Sequence, residues 1–503
     1  MTGTTTARRT RASATRGRRN TRLDWRILRW QARLDAGWAD RVLPWLLAGV
    51  LFVVFLTLAL ARVDRLEGGA GLARAVQAAW HVADAGLPRT TIGTDINYFA
   101  FGFPVAFVPL AAVTRFLPAV GVLLAAQAAS LALGIVPLWH LGRKVANLRV
   151  GAASALCLVY ALHPALVDLD LGDFHPSAMA ITPLMLAAYS AERRRWGRFG
   201  LFAVLALAWS SELGLVIATM GLVLLLEGER RVGSVALVGG LAWTTGALLA
   251  VQGPLGTGLV GEGAFTAYGD TALEVLIEVL RNPFRPLGDL LADENLQVTV
   301  WILAPLLFIP VLAFRKLAPA LPLQALYFVG DVPLMGAEGG GRTVPLLTFS
   351  FVAAPFALAR LGRPSIERVL VDRRVLSLLG VAAVAALLTS SAMGPHSDAW
   401  ARNRAGEDEL RVALASVPDR VRVRAPEALA PSLAERHRVE LLHPGESSPG
   451  ALTAGVDALV LDESTLEELD GHDRFLLRRR IEDRGFVLVE RAGDIDVFVQ
   501  RGS

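Results

Sequence analysis

A single cysteine, Cys157, occurs in the 503 residues. One thiol excludes an intrachain disulfide, a CxxC redox pair and a thiolate zinc site, and its apolar surroundings make it a small buried hydrophobe. Lysine is almost as scarce, confined to positions 144 and 316, so arginine carries the positive charge. P-loop and H-E-x-x-H motifs are missing, which leaves nucleotide hydrolysis and zinc-protease chemistry without support. His81, His140 and His163 stand singly at apolar or interfacial positions, and His437, His443 and His472 show no ligand spacing. A cleavable leader is not expected either. The first apolar run is too long and begins too far in, so it reads as a retained anchor.

What is abundant is apolar sequence: 53% hydrophobic residues and a mean hydropathy of +0.46. Several runs reach the roughly 18 residues needed to cross a ~30 Å hydrocarbon core. The chain therefore reads as an α-helical polytopic membrane protein. Its charge is uneven, about +8 over residues 1–41 and about −6 over 394–503. A basic tail beside a membrane span points to the cytoplasmic leaflet rather than to nucleic acid. Residues 1–22 read as disordered, and 23–40 as an amphipathic helix on that leaflet.

The charge pattern orders the rest. Spans are expected near 42–62, 120–141, 151–167, 177–191, 199–209, 213–226, 232–251, 297–314, 317–333, 344–361 and 375–392, eleven in all. The apolar stretch 99–118, broken by Pro104, Pro109 and Pro118, is expected not to cross. Counting it as a span would put Arg143, Lys144 and every later basic loop outside; leaving it at the surface puts Arg143/Lys144, Arg193–Arg195, Arg230/Arg231, Arg315/Lys316 and Arg360–Arg374 together inside. The division is thus a basic tail at 1–41, a transmembrane domain at 42–393 with a large outer loop at 63–118, and a soluble domain at 394–503. In that last part VRVRA, VELLH, ALVLD, FVLVE and DVFVQ read as strands between helical segments, an extracytoplasmic α/β domain.

The polar residues gather at the face opposite the basic loops. Asp168, Asp170, Asp173 and His175 read as an acidic outer loop, with Asp173 and His175 a candidate divalent-metal or phosphate pair; His175 also reads as the cap of a helix starting at Pro176. Ser210-Ser211-Glu212 breaks two apolar segments too short to cross alone, and a carboxylate there must be hydrated, paired or protonated. Its expected partners are Arg342, His175 or water. Asp64 and Asp95 are candidate bases in the first outer loop, where Asp64 also reads as a solvated helix start and Asp95 as a turn residue. Arg342, after Glu338 and three glycines, is a candidate phosphate ligand.

Asp173-Phe174-His175-Pro176, the arginine-rich turn, the break at Glu212 and the trailing VRVRAPEALAPSLAERHRVELL segment resemble the bacterial membrane proteins of domain-of-unknown-function family 2079. That family resembles the GT-C glycosyltransferases, which include the protein O-mannosyltransferases. The resemblance implies a GT-C-like fold in the bacterial plasma membrane and a polyprenyl-phosphate-linked sugar as donor. It also implies a catalytic carboxylate from among Asp64, Asp95 and Glu212. Gln77, Asp173, His175 and Arg342 would line the substrate site. Three departures stand out. The stretch before Gln77 reads Gly69-Ala70-Gly71-Leu72, without the family's Asp. No His precedes Phe101-Gly102-Phe103-Pro104, and Ser210-Ser211-Glu212-Leu213 replaces Lys-Glu-Asp. The alternative is therefore a non-catalytic relative that binds lipid carriers or scaffolds envelope assembly.

Overall fold

A computed structural model describes residues 37–501 except 94, 256–263, 270–271, 331, 335–338, 365–367, 391–406, 419, 443–448, 463–468 and 494. The basic tail, most of the expected surface helix 23–40, and Glu338 lie outside the described residues. The first helix, α1 (Ala39–Asp64), has an apolar middle, Asp40 in its first turn and Arg62 in its last, charges that complement the helix dipole. At 26 residues it is about 39 Å long, enough to cross a bilayer. After it come α2 (Ala70–Ala85), the hairpin β1 (Arg89–Thr90) and β2 (Ile96–Asn97), and a two-turn helix α3 (Phe107–Val113). Seven residues rise only about 10 Å. The stretch 99–118 therefore holds no helix able to cross.

The bundle continues with α4 (Ala119–Val145), α5 (Val150–Ala161), α6 (Pro164–Leu171), α7 (Ile181–Glu192), α8 (Trp196–Leu207), α9 (Leu213–Leu226) and α10 (Arg230–Gln252). Two amphipathic surface helices follow, α11 (Ala272–Arg281) and α12 (Phe284–Leu290), then α13 (Asp293–Leu306), α14 (Ile309–Val329), α15 (Gly340–Leu361), the hairpin β3 (Arg363–Pro364) and β4 (Val369–Leu370), and α16 (Arg373–Leu388). By length and apolar composition four described helices suffice to cross (α1, α4, α10 and α15), or six if the bent pairs α5/α6 and α13/α14 each count once. The two spans expected at 297–314 and 317–333 are the arms of one element, bent by 90° at Leu307 and Phe308, both left-handed at φ 52° and 55°. The segment 168–176, expected as a loop, is helical as far as Leu171, leaving only a short turn at 172–175.

The described parts of the five basic loops lie together at one end of the bundle. Lys316 pairs with Glu192 and Glu227, Arg194 with Glu229, and the Arg193 guanidinium donates to the Lys144 carbonyl. Arg368 donates to Arg143 O and Arg360 to Leu312 O. Arg143 itself is fully buried, 2.7 Å from Asp40, which also accepts from the Trp139 indole. These links join the ends of α4, α7, α9 and α15 into one ionic layer.

The other end carries the polar turns. Beyond α16 the chain forms α17 (Glu407–Ala415), then β5 (Val423–Ala425), β6 (Val439–Leu441), β7 (Ala458–Asp462), α18 (Gly471–Asp483), β8 (Phe486–Ala492) and β9 (Ile495–Gln500). All five segments read as strands join one sheet, ordered β6-β5-β7-β9-β8, parallel across β6-β5-β7 and antiparallel beyond. The sheet domain rests on α2. Ala430, Ala434 and Val439 share a core with Leu72, Ala75 and Val76, and Leu66 is buried among α17 and the strands.

Candidate active site

The break between α8 and α9 spans 208–212, and its backbone groups are taken up by protein. Gly102 O accepts from Ser211 N at 2.7 Å, Ala208 O accepts from Ala106 N at 2.9 Å, and Thr244 Oγ1 donates to Ser211 O at 2.7 Å. The non-crossing stretch 99–118 thus supplies what an interrupted helix in lipid lacks. Gly102, which makes the first of these contacts, and Phe103 after it are both left-handed, φ 82° and 52°. At the end of the break the Glu212 carboxylate accepts a hydrogen bond from the Tyr327 hydroxyl of α14. Its partner is therefore Tyr327 rather than His175 or Arg342. The Arg342 charge nevertheless acts on both Glu212 and His175.

His175 enters from the 172–175 turn, fixed by Gln127 of α4. The Gln127 amide donates to Leu169 O and Asp173 O at 2.8 and 3.0 Å and accepts from His175 N at 2.9 Å. The imidazole does not cap the helix that follows. It lies against Gly340 and Gly341, where a Cβ on either would come within 3.1–3.2 Å of the ring. Its Nε2 is buried without a hydrogen-bond partner. Burial, with Arg342 and Arg74 nearby, lowers the imidazole to about 4, so the ring is neutral at physiological pH.

Asp173 faces a different element. Its carboxylate accepts from Gly71 N (2.6 Å), Leu72 N (2.7 Å) and its neighbour Phe174 N (2.7 Å), at the N-terminus of α2. Glu427 of the sheet domain takes Ala70 N at 2.9 Å. Free helix-end donors that would otherwise be orphaned are thus filled by two carboxylates from distant parts of the chain. Gly69 and Gly71 are required here, since a Cβ at either would lie 2.5 Å from the Asp173 carboxyl group. The pairing of Asp173 with His175 on one metal or phosphate does not fit this geometry. Among the described residues no three His, Cys, Asp or Glu side chains form a group able to hold a metal.

The remaining expected residues lie elsewhere. Asp64 is exposed and paired with Arg411 at 3.5 Å; Asp95 is exposed and paired with Arg89 at 2.9 Å. Gln77 is fully buried, and both ends of its amide are used, by Thr90, Thr91 and the Arg436 carbonyl. It ties α2 and β1 to the sheet domain. Arg342 donates to Pro333 O at 2.6 Å. Sequence reasoning missed Tyr327, Gln127 and Arg74, whose guanidinium lies 5.2 Å over the Phe101 ring. Gln127 carried a signal, an amide in the middle of an apolar span.

The comparisons agree with this architecture. ArnT from Cupriavidus metallidurans bound to undecaprenyl phosphate aligns over 90% of this chain and 98% of its own, with a TM-score of 0.54 at 12% identity. The same protein in the apo state aligns over 89% and 97%, with a TM-score of 0.49 at 13% identity. The fold is thus that of ArnT, the GT-C type to which the motifs pointed. No curated protein matches the sequence. The family described as predicted membrane protein (DUF2079) matches residues 75–488, well over half of the chain, and this protein belongs to it.

Proposed function

We propose that this protein is a GT-C-type glycosyltransferase that moves a sugar from a polyprenyl-phosphate carrier to an acceptor outside the bacterial plasma membrane. The observation that carries the reading is the convergence of Glu212–Tyr327, neutral His175 and Arg342 at the end of the bundle opposite the ionic layer. It is supported by a fold shared with a protein that binds undecaprenyl phosphate. Basic loops stay cytoplasmic, which puts the N-terminus inside and the sheet domain outside.

Glu212, rather than the surface-paired Asp64 or Asp95, is the proposed base. It takes the proton of the acceptor hydroxyl as that oxygen attacks the anomeric carbon. The bond from carbon to the phosphate oxygen breaks, and the carrier phosphate leaves with the electron pair, its charge held by Arg342. No metal is routed into this step. A second reading, a non-catalytic carrier-binding relative, is favoured by one observation: the N-terminus of α2 bears glycines, and the Asp173 carboxylate filling that space is already engaged.

The test is turnover in nanodiscs with undecaprenyl phosphate carrying a panel of sugars. Glu212→Gln should lose at least ~100-fold in transfer, as expected for a positioned base, and Tyr327→Phe a smaller share. Carrier binding without turnover in the unaltered protein would replace the enzyme reading with the second one.

A further inference from the structure

The surface helices α11 and α12 stay in helical register across their junction at Pro283. Asn282 N donates to Glu278 O at 2.8 Å, and Arg285 N to Asn282 O at 3.1 Å. Residues three and four apart therefore line up on common faces along the pair. Leu280, Phe284, Leu287 and Leu291 make one such stripe, and they are 72%, 81%, 53% and 68% exposed. Glu278, Asn282, Arg285 and Asp289 make another, set off by two residues and so on the opposite side. That polar stripe is engaged with the protein. Asn282 Nδ2 donates to Glu278 Oε1 at 2.7 Å, and Arg285 pairs with Glu278 at 3.8 Å. The Arg285 guanidinium lies 4.8 Å over the buried Tyr268 ring, and the Tyr268 hydroxyl donates to Asp289. A surface helix in water turns its apolar stripe to the core and its charges outward. Here the polar stripe meets the protein and the apolar stripe is bare.

The surroundings say what covers it. The bare stripe runs on into Leu296 and Val300 of α13, also exposed, on an element that forms one arm of a candidate span. It is thus continuous with the surface that the bundle turns to lipid. Its level is fixed by Asn295, whose amide donates to Asp289 O at 2.6 Å and to Phe328 O at 2.8 Å. Phe328 follows Tyr327, so the pair lies at the Glu212 end of the bundle, away from the ionic layer. Charge does not draw it to lipid headgroups, because two arginines stand against five acids between 272 and 294. Apolar insertion is the remaining source of binding. We infer that α11 and α12 lie in the plane of the leaflet at the Glu212 end, with Leu280, Phe284, Leu287 and Leu291 among the acyl chains. Through Asn295 this embedded pair is tied to the backbone beside Tyr327. The inference does not depend on the glycosyltransferase reading.

The test is nitroxide accessibility in nanodiscs of phosphatidylcholine. Spin labels are attached to Phe284→Cys, Leu287→Cys and, for the opposite face, Asn282→Cys, each in a full chain carrying Cys157→Ser. All three labelled positions are exposed, so a label on any of them leaves the core intact. Power saturation is then compared with dioxygen, which concentrates in acyl chains, and with a nickel chelate, which stays in water. The oxygen-to-nickel accessibility ratio at 284 and 287 should exceed that at 282 by at least about fivefold. Equal ratios at the three positions, with nickel reaching all of them, would place the stripe in water and overturn the inference. Labels at 284 and 287 reached by neither reagent, in protein that elutes as a dimer, would assign the stripe to a second copy and overturn it as well.

Discussion

Asp173 shows how a residue that reads as a ligand can instead be a structural anchor. Its oxygens accept three backbone N–H groups, two of them from the first turn of α2. Charge-assisted hydrogen bonds of this kind contribute about 1.5–3 kcal/mol each when neither partner is left stranded. Asp173→Ala should therefore cost about 2–4 kcal/mol and loosen α2 together with the sheet domain that shares its N-terminus, measured as a lower unfolding temperature and faster amide exchange in 70–76. Unchanged exchange there would show that α2 holds its position without Asp173. His175 predicts a pH dependence. Its folded value of about 4 lies below the ordinary 6.5, so the native state favours the neutral ring. The stability this implies is present above pH 6.5 and is lost as the pH falls from 6.5 toward 4, about 3 kcal/mol in all. His175→Gln should flatten that part of the unfolding-temperature profile. An equally steep profile in the variant would assign the acid sensitivity to other groups.

At the scale of elements, α9 and α10 approach closely because of four glycines. A Cβ on Gly240 would lie 2.3 Å from Gly214 O, and one on Gly221 2.4 Å from Leu237 N; Gly233 faces the same seam. Small residues let membrane helices pack backbone to backbone where apolar burial offers little driving force. Gly240→Leu should cost about 3 kcal/mol or more and displace the 208–212 break, since Thr244, one turn on, holds Ser211 O. A variant that melts like the unaltered protein would mean the helices part without loss. The break at Ser210–Glu212 was legible because its flanking apolar runs were each too short to cross. Its partners were not, since nothing in the order of residues announces that Gly102 and Ala106 meet it. The bend at Leu307–Phe308 was equally hidden, because an apolar run interrupted by Arg315 and Lys316 reads as two spans whatever the angle between them.

For the whole molecule, charge was the most informative part of the sequence. Arginine and lysine placed five loops on one side, and the folded chain joins them through Lys316, Arg194, Arg193, Arg368 and Arg360 into one layer. The five strands of the last hundred residues were visible from their alternation and β-branched content. The candidate site was only partly legible. Glu212 stood out through the cost of a carboxylate between apolar segments, whereas Asp64 and Asp95 drew attention by sequence position and prove to be paired at the surface. Asp170 read as one more acid in a wet loop, because its burial depends on α6 extending to Leu171.

The central claim is that carrier-lipid chemistry takes place at the end of the bundle opposite the ionic layer. The most direct measurement is a structure of the protein in nanodiscs with undecaprenyl phosphate bound. The account predicts the phosphate within reach of the Arg342 guanidinium, on the side of Glu212 and His175. A phosphate found among Arg193–Arg195 and Lys316, at the other end, would contradict it.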